Sequence, residues 1–390
     1  MIADFALIIG YHYLRGTIMS KSGFFYKIVF LVFMLVIFLF PINKSSYGLP
    51  LNFSKEAITS DKKDINKYLW ISEQFLKKGR FKTSLAIAKK IINKETDNIE
   101  AHAIIAASYK GLNLSDKFKK EETVIKNLTS QLSILYIMLG NTYLGLKQYK
   151  LAEDMYKTAI KEDKNSIRAR NTLADFYINQ KKFQKAHNEY QILINNYQLS
   201  TEQFLVTNLK LCKVNFILKN YNQNISICKK LINLYPKFPI IYMYLAKAYL
   251  AKKNVNQAIN CYRQVSELFP NYIEPYQSLA LVYIDIMNDK QKALIYIKKA
   301  MLKFPKNIQN YDIIGWIYYK SKEYNKALRY FKIATKLEKN PLYLYHLGIT
   351  YKKISEFVNA KKVFRQAINM PNLPKSSPLY RQLKSQLNKI

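Results

Sequence analysis

Residues 133–166 read SILYIMLGNTYLGLKQYKLAEDMYKTAIKEDKNS, and this stretch decides the fold. It carries Leu139-Gly140, Tyr143, Ala152, Tyr156 and Ala159. The large residues Tyr136, Leu139 and Tyr143 follow the three-and-four spacing of one helical face. The small residues predict close approach between two helices, and the stretch therefore indicates a helix pair.

The same pattern recurs nine times between about Ile65 and Asn372. The copies begin at Ile65, Ile99, Ser133, Ile167, Leu205, Pro239, Ile273, Ile308 and Pro341. Most spacings are 34 residues; one is 38, after Ile167, and those on either side of Ile308 are 35 and 33. A repeat of this length cannot bury its apolar face alone, so the units must stack.

Within a copy, each kind of residue has a predicted packing role. Position 8 is small in most copies (Ala106, Gly140, Ala174, Ala246, Ala280, Gly315, Gly348). Alanine at positions 20 and 27 gives the second helix a matching close face. An aromatic residue at position 24 fills the space between pairs (Tyr156, Tyr190, Tyr262, Phe331, Phe364). Proline near position 32 ends the second helix in several copies.

This pattern resembles the tetratricopeptide repeat, a family of helix-turn-helix solenoids. The resemblance implies an all-α fold, a right-handed α-solenoid of about nine repeats over residues 65–374. Copies two and five depart most from the pattern: Lys117 to Lys126 is charged, and Cys212, Asn215 and Asn224 replace the expected small and aromatic residues. A looser stack or a hinge there is one reading, and drift with intact packing is the other.

A capping helix is predicted over residues 375–390. Ser377 before Pro378 suits an N-cap followed by the first helical position. Leu379, Leu383 and Leu387 then recur every four residues, as they would on a helix that covers the open end of the last repeat. A docking helix for another protein is the alternative.

The N-terminal residues 1–48 predict a signal peptide or a membrane anchor, followed by a linker over 49–64. Lys21 and Lys27 precede the apolar run from Ile28 to Phe40, and the small residues Ser46 and Gly48 follow it. Either Met1 or Met19 can be the start. Both readings export the solenoid or anchor it outside the cytoplasm; an anchored solenoid that faces the cytosol is the alternative.

The three cysteines, Cys212, Cys228 and Cys261, lack a Cys-x-x-Cys spacing and fit buried core thiols. In an exported domain, Cys212 and Cys228 could form a disulfide, because they fall on the paired helices of copy five.

The charge of the chain favours acidic partners. The formal net charge is +36, and residues from Ile65 onward hold 55 basic against 22 acidic residues. Nucleic acid, anionic lipid and acidic protein segments all fit this balance. Lysine supplies 54 of the 62 basic residues, however, and arginine, which nucleic-acid readers use for bidentate contacts, numbers eight. Nucleic acid is therefore the less favoured partner.

The family resemblance implies a partner-binding groove on the first helices. The predicted groove residues are Asn141, Arg168, Asn171, Lys210, Lys213, Lys247, Trp316, Tyr319 and Tyr345, with Asp175, Met243 and Ile349 at further groove positions. The middle of this groove is basic and rich in amides, and its C-terminal end is aromatic. An acidic or extended segment of a protein partner would suit both parts.

No catalytic, cofactor or metal site is predicted. The four histidines (His12, His102, His187, His346) have no metal-binding spacing, and no Gly-rich phosphate loop occurs. The absence of such motifs predicts a non-catalytic scaffold. Together with the N-terminal segment, the resemblance to repeat proteins of envelope machinery implies that it assists assembly of a bacterial envelope or secretion machinery. The alternatives are a basic helical-repeat protein that binds nucleic acid and an assembly factor on a cytosolic membrane surface.

Overall fold

The computed structural model describes residues 62–130 and 132–390, and these residues form nineteen helices and no strand. The helices are α1 Lys62–Lys77, α2 Phe81–Ile92, α3 Ile99–Gly111, α4 Ser115–Leu128, α5 Ser133–Gly145, α6 Tyr149–Glu162, α7 Ile167–Asn179, α8 Phe183–Asn196, α9 Thr201–Ile217, α10 Tyr221–Leu234, α11 Pro239–Ala251, α12 Val255–Leu268, α13 Glu274–Asp285, α14 Lys290–Lys303, α15 Gln309–Lys320, α16 Tyr324–Leu337, α17 Pro341–Lys353, α18 Phe357–Ile368 and α19 Pro378–Leu387. The predicted all-α solenoid is confirmed.

The helices pack as nine antiparallel pairs. The odd-numbered helices from α1 to α17 are first helices, and each packs on the second helix that follows it. Successive first helices also contact one another along the stack, as α13, α15 and α17 do. The first helices thus form an inner layer and the second helices an outer layer. We call the surface of the inner layer the inner face.

Eight of the nine first helices end in the same turn, and the turn after α13 is one residue longer. One residue after each first helix has a positive φ, and in eight of these nine turns it is not glycine (Gly79, Asn113, Lys147, Lys181, Lys219, Lys253, Asn288, Lys322, Ser355). The next N–H reaches back to the helix, as Gln148 N–H donates to the Tyr143 carbonyl at 2.8 Å. This is the Schellman arrangement, which glycine adopts most easily.

Replacing Lys147 with glycine is expected to raise the free energy of unfolding by about 0.5–1 kcal/mol. The left-handed conformation of Lys147, at φ 61°, costs a side chain about 1–2 kcal/mol, and the extra freedom of glycine in the unfolded chain offsets part of the gain. Urea denaturation followed by circular dichroism measures the change. The control Lys120→Gly, in the middle of exposed α4, should lose stability instead. A loss at Lys147 would contradict the turn argument.

Glycine at position 8 lies directly against the aromatic residue of position 24. A Cβ atom on Gly140, Gly315 or Gly348 would stand 2.4, 2.7 or 2.3 Å from the ring of Tyr156, Phe331 or Phe364. Each of these rings is almost fully buried. The small residue therefore makes room for the ring, as the sequence pattern predicts.

The irregular spacings have local structural causes. The 38-residue spacing after Ile167 corresponds to a longer first helix: α9 has 17 residues, whereas most first helices have 13 or fewer. Ser200 and Gln203 form a capping box at the start of α9. The 35-residue spacing after Ile273 adds a residue to the turn before α14. There Asp289 N–H bonds to the carbonyl of Tyr283, six residues back, where other turns span five.

Copy two changes the packing of the stack. Its second helix, α4, packs on α3 but buries only Ile125. First helix α1 instead packs directly on α5, two copies further along. Gly79 and Gly145 permit this approach, since a Cβ atom on Gly145 would stand 2.3 Å from the Leu76 carbonyl oxygen and 2.7 Å from the Gly79 nitrogen. The charged sequence of α4 fits its place at the edge of the stack.

Copy five holds a buried polar cluster at the points where it departs from the pattern. His187 Nδ1 lies 2.8 Å from Asn215 Oδ1, and Asn224 donates to the Cys212 carbonyl at 2.9 Å. The sulfur atoms of Cys212 and Cys228 are 3.8 Å apart, and both thiols are free and buried. Hydrogen bonds thus replace the apolar contacts of the other copies. The disulfide stays a prediction that depends on the compartment.

The C-terminal helix α19 packs on α18 and α17, with Leu383 fully buried. The Ser377 hydroxyl accepts the Tyr380 N–H at 3.2 Å, which is the N-cap that the sequence indicates. At the other end, α1 begins at Lys62, within the predicted linker. Among the described helices, none combines the length and the apolar character that a membrane crossing requires. The predicted signal or anchor over 1–48 and the linker up to residue 61 lie outside the described residues.

Candidate functional site

The inner face changes character along its length, and its N-terminal part is closed by a polar network. We define this network as Glu73, Glu100, Asn141 and Arg168. Glu73 accepts hydrogen bonds from Asn141 and from Arg168, both at 3.1 Å, and Arg168 also pairs with Glu100. The network joins α1, α3, α5 and α7, which the packing of α1 on α5 brings together. It holds the first four first helices in one cluster.

The polar groups of this network form hydrogen bonds with one another and with Tyr156. Asn141 is fully buried, and its Oδ1 accepts the Tyr156 hydroxyl at 2.8 Å. Burial opposes ionisation of Glu73, but Lys77 and Arg168 outweigh it and lower the pKa of this carboxyl. Asn141 thus offers no atom to a partner in this structure, and Arg168 is ion-paired at the edge of the network. Their predicted binding role would require the network to open.

The middle of the inner face carries the predicted basic residues. Lys210 pairs with Asp175 at 2.7 Å, and Asp175 also accepts the Tyr190 hydroxyl at 2.5 Å. Asn171, on the same helix as Asp175, has a buried side-chain oxygen without a hydrogen-bond partner among the described atoms. Asp175 therefore neutralises part of the positive charge here, which the sequence reading did not foresee.

Lys247 is the most open of the predicted basic residues. Its side chain is exposed to solvent, yet it lies in the hollow between first helices, and the loss of hydration lowers the pKa of its ammonium group against the opposing effect of Glu274. Burial in the same region raises the pKa of Glu274, of nearby Tyr244 to about 12, and of Tyr272. Lys247 and the partly buried Lys213 mark the basic stretch of the inner face.

The C-terminal part of the inner face carries an aromatic cluster, which we define as Trp316, Tyr319, Tyr345 and His346. The ring of Trp316 stacks on that of Tyr319, with centroids 5.3 Å apart, and on His346 at 4.8 Å. Tyr345 contacts His346 at 5.9 Å. All four side chains are half-buried. Trp316, Tyr319 and Tyr345 thus present partly exposed rings on the inner face, and His346 joins them.

Hydrogen bonds fix the orientation of this cluster. Trp316 Nε1–H donates to Asp285 at 2.9 Å, and Nδ1 of His346 lies 2.8 Å from Asp312, which is buried. These bonds link α13, α15 and α17. A partner would therefore meet rings that are already held in place, so that little side-chain entropy is lost on binding.

The structure separates the predicted groove residues into these three zones. It brings Trp316, Tyr319 and Tyr345 together, as their positions in the repeat predict. Met243 and Ile349 are buried and face neighbouring helices. His346 and Asp285 were missed by the sequence reading. The available signal was the 34-residue offset between Asp312 and His346, which places the two side chains on neighbouring first helices.

The described residues contain no group of three or more His, Cys, Asp or Glu side chains placed to hold a metal ion. The chemistry that this inner face offers is recognition: ring surface, fixed hydrogen-bonding groups and a basic stretch. Trp316, Tyr319 and Tyr345 belong to the residue types that contribute most to binding energy at protein interfaces.

Three segments of the chain match models of the tetratricopeptide repeat: residues 143–204, 239–272 and 308–341. The last segment contains Trp316 and Tyr319. No curated protein matches the chain.

Several solved structures are similar to the chain at low identity. The C-terminal part of a tetratricopeptide repeat-containing protein of Cytophaga hutchinsonii is 18% identical, with 63% of this chain and 98% of that one covered at a TM-score of 0.45. Yeast Tom70 is 16% identical, with 84% and 82% covered at 0.47. A thermophilic tetratricopeptide repeat protein of Thermus thermophilus is 21% identical, with 46% and 97% covered at 0.41.

Proposed function

Because the chain is a tetratricopeptide repeat protein, we propose that its inner face holds an extended segment of a partner protein, anchored at the aromatic cluster. The repeat is a protein-interaction fold, and we propose that the chain serves as a scaffold without catalytic activity of its own. The observation that carries the proposal is the half-exposed Trp316, held flat between Tyr319 and His346. Buried aromatic anchors supply most of the binding energy in such contacts.

The partner segment is proposed to be acidic next to its anchoring side chain. Lys213 and Lys247 lie on the inner face, on α9 and α11, toward the N-terminal side of the aromatic cluster on α15 and α17. A carboxylate near these amines would form a charge-assisted hydrogen bond. Lys210 pairs with Asp175, which offsets its charge.

Loss of the aromatic anchor is expected to reduce partner capture by about tenfold or more. A photoreactive residue at exposed position 342, on α17 beside Tyr345, would crosslink the bound segment in cells. The double variant Trp316→Ala, Tyr345→Ala should lower the crosslinked product, since a single aromatic hot spot contributes about 2 kcal/mol or more. The yield is measured by immunoblot and mass spectrometry.

The matched control for this test removes exposed apolar side chains elsewhere. Tyr149 and Leu151 on the outer helix α6 are both exposed, at 44% and 43%. The variant Tyr149→Ala, Leu151→Ala should leave the crosslink unchanged. Equal yields from wild type and from the Trp316, Tyr345 variant, at unchanged helical content, would remove the aromatic cluster from the proposed function.

The basic stretch has its own test. The variant Lys213→Glu, Lys247→Glu is expected to lower the same crosslink severalfold without loss of helical content, because two attractive charges become repulsive. Lys210 is left in place, since glutamate there would face Asp175 and disturb the fold. The control Lys229→Glu, Lys230→Glu changes the charge equally on exposed outer positions of α10. An unchanged crosslink in the Lys213, Lys247 variant would contradict the proposal that the partner segment is acidic. The proposed anchoring at the aromatic cluster would not be affected.

For the cellular role, we propose that the scaffold assists assembly of a bacterial envelope or secretion machinery, with the solenoid outside the cytoplasm. What supports it is the order of Lys21, Lys27 and the apolar run from Ile28 to Phe40 in the sequence. Alkaline phosphatase and a fluorescent protein, fused separately after about residue 60 and at the C-terminus, test this proposal. Active phosphatase at both points is expected. C-terminal fluorescence with inactive phosphatase would overturn the proposal and favour cytosolic partners, nucleic acid included.

A further inference from the structure

The outer helices of the C-terminal copies carry basic residues without any acidic residue. Helix α14 has five lysines, α16 has four basic residues, α18 has three, and none of the three helices contains Asp or Glu. The residues are Lys290, Lys292, Lys298, Lys299, Lys303, Lys326, Arg329, Lys332, Lys336, Lys361, Lys362 and Arg365. We call the exposed surface of these helices the basic outer face. Its charge is concentrated on consecutive repeats.

A contrast within the same chain shows that the solenoid does not impose this composition. Helix α6 holds the equivalent place in copy three, and its lysines are balanced by Glu153, Asp154 and Glu162. Glu153 there pairs with Lys157, Lys182 and Lys185. Helices α2 and α10 also lack acidic residues, but α4, α6, α8 and α12 carry them, so only α14, α16 and α18 form a run of consecutive outer helices without an acidic residue.

Most cations of the basic outer face have no acidic partner. Lys290 and Lys326 pair with Glu323, and Lys292 pairs with Asp289, both of which lie in turns at the edge of the face. The other nine form no ion pair with any described carboxylate. Three of these nine, Lys298, Lys332 and Arg365, stand at the ninth residue of their helices, and Lys229 on α10 and Arg263 on α12 extend this row. The row is a repulsive arrangement that an anionic surface would relieve.

Large apolar side chains are exposed among these cations. Leu302 and Val358 are 83% and 82% exposed, and Ile295 and Leu337 are more than half exposed. In α14, Ile295 and Leu302 lie two turns apart on one face, with Lys298 and Lys299 between them. A surface of lysines that surround protruding aliphatic side chains matches the interface of a membrane, where amines meet phosphates and aliphatic groups enter the headgroup layer.

We propose that the basic outer face of α14, α16 and α18 binds the surface of an anionic lipid bilayer. The aliphatic side chains decide between this and a nucleic-acid partner. Leu302 and Val358 would gain by leaving water for the lipid interface, whereas phosphodiester oxygens offer them nothing. The bilayer also matches the extent of the face across successive parallel helices. This surface lies on the layer opposite the inner face, so both partners could be held at once.

The test follows the environment of position 302 in the full chain. The variant Leu302→Cys is labelled with an environment-sensitive dye. The native thiols of Cys212, Cys228 and Cys261 are buried, and the same labelling of the wild-type chain measures how much dye they take up. The protein is reconstituted into vesicles of phosphatidylcholine, or of phosphatidylcholine with phosphatidylglycerol. A blue shift and quenching by brominated lipid are expected only with phosphatidylglycerol. Because the readout is local, an N-terminal anchor in the same vesicle does not produce it.

Removal of the charges should abolish this signal. Each basic residue at an anionic surface strengthens partitioning about fivefold, so Lys298→Gln, Lys299→Gln, Lys332→Gln, Lys336→Gln should weaken the local contact by more than about a hundredfold. The matched control removes four exposed lysines from the N-terminal copies, as Lys82→Gln, Lys94→Gln, Lys150→Gln, Lys161→Gln. It should keep the signal. A dye at Leu151→Cys, on the balanced helix α6, should stay in water.

Three results would overturn the proposal. The dye at position 302 stays in water with phosphatidylglycerol present; or the blue shift is equal in both kinds of vesicle; or single-stranded nucleic acid binds and prevents the dye from reaching brominated lipid. The last result would identify a polyanion site in place of a lipid site. Loss of the crosslink at the inner face has no bearing on any of them, so the two proposals fail separately.

Discussion

Replacing Gly145 with alanine is expected to lower the free energy of unfolding of the N-terminal copies by about 3 kcal/mol. The added methyl group would stand 2.3 Å from the Leu76 carbonyl oxygen and 2.9 Å from the Cα atom of Gly79. Both neighbours are backbone atoms, so no side chain can rotate away, and α1 must separate from α5. Urea denaturation measures the loss, and hydrogen exchange should locate it in α1 and α5.

The comparison variant Gly315→Ala makes the test specific. Its methyl group would meet the ring of Phe331 at 2.7 Å, and a ring can shift by a few tenths of an ångström. Ala174 occupies the same position of the repeat against Tyr190, so the pattern tolerates alanine there. A loss at Gly145 no larger than at Gly315 would mean that α1 does not depend on backbone contact with α5.

The variant Tyr156→Ala is expected to cost about 4 kcal/mol, because it removes a fully buried ring and leaves a cavity. Tyr156 is 1% exposed, and its hydroxyl donates to Asn141 in the polar network. The variant Tyr156→Phe keeps the ring and should cost about 1–2 kcal/mol, the cost of an unpaired buried amide oxygen. Thermal and urea denaturation separate the two contributions.

A second substitution checks the geometry of this contact. Gly140→Ala alone should destabilise the chain, since its methyl group would stand 2.4 Å from the Tyr156 ring. In the Tyr156→Ala background, the same methyl group enters the space that the ring has left and should restore part of the lost stability. A double-mutant cycle measures this change of sign. Additive losses would show that the two positions do not share the space.

The sequence predicts the repeated part of the fold because each pair is specified within its own copy. Position 8 and the aromatic residue of position 24 meet inside a single pair, so the regular spacing places them correctly. The packing of α1 on α5 is different, since it joins residues about two copies apart. The sequence signal for this contact was the presence of Gly79 and Gly145, two of only ten glycines in the chain. The two glycines meet in space, although they are far apart in sequence. Periodicity alone assigns those glycines to separate turns.

The candidate site shows the same division. Trp316, Tyr319 and Tyr345 were predicted from their positions in the repeat, and the structure joins them in the aromatic cluster. Asn141 was assigned to an open groove by the same rule, but α1 covers it and Glu73 binds its amide. Whether a groove position is open depends on the rotation between neighbouring helix pairs along the solenoid. Contacts between copies set this rotation, and the repeat pattern within a single copy does not specify those contacts.

The contact between α1 and α5 also has a consequence for biosynthesis. The first helix pair leaves the ribosome first, but α1 cannot bury its inner side until α5 has followed. Glu73 then waits for Arg168, which lies 95 residues further along the chain. Each later copy can add to the copy before it as it emerges. Folding of this solenoid therefore requires the first three or four pairs to assemble together, and the later copies can then be added one at a time.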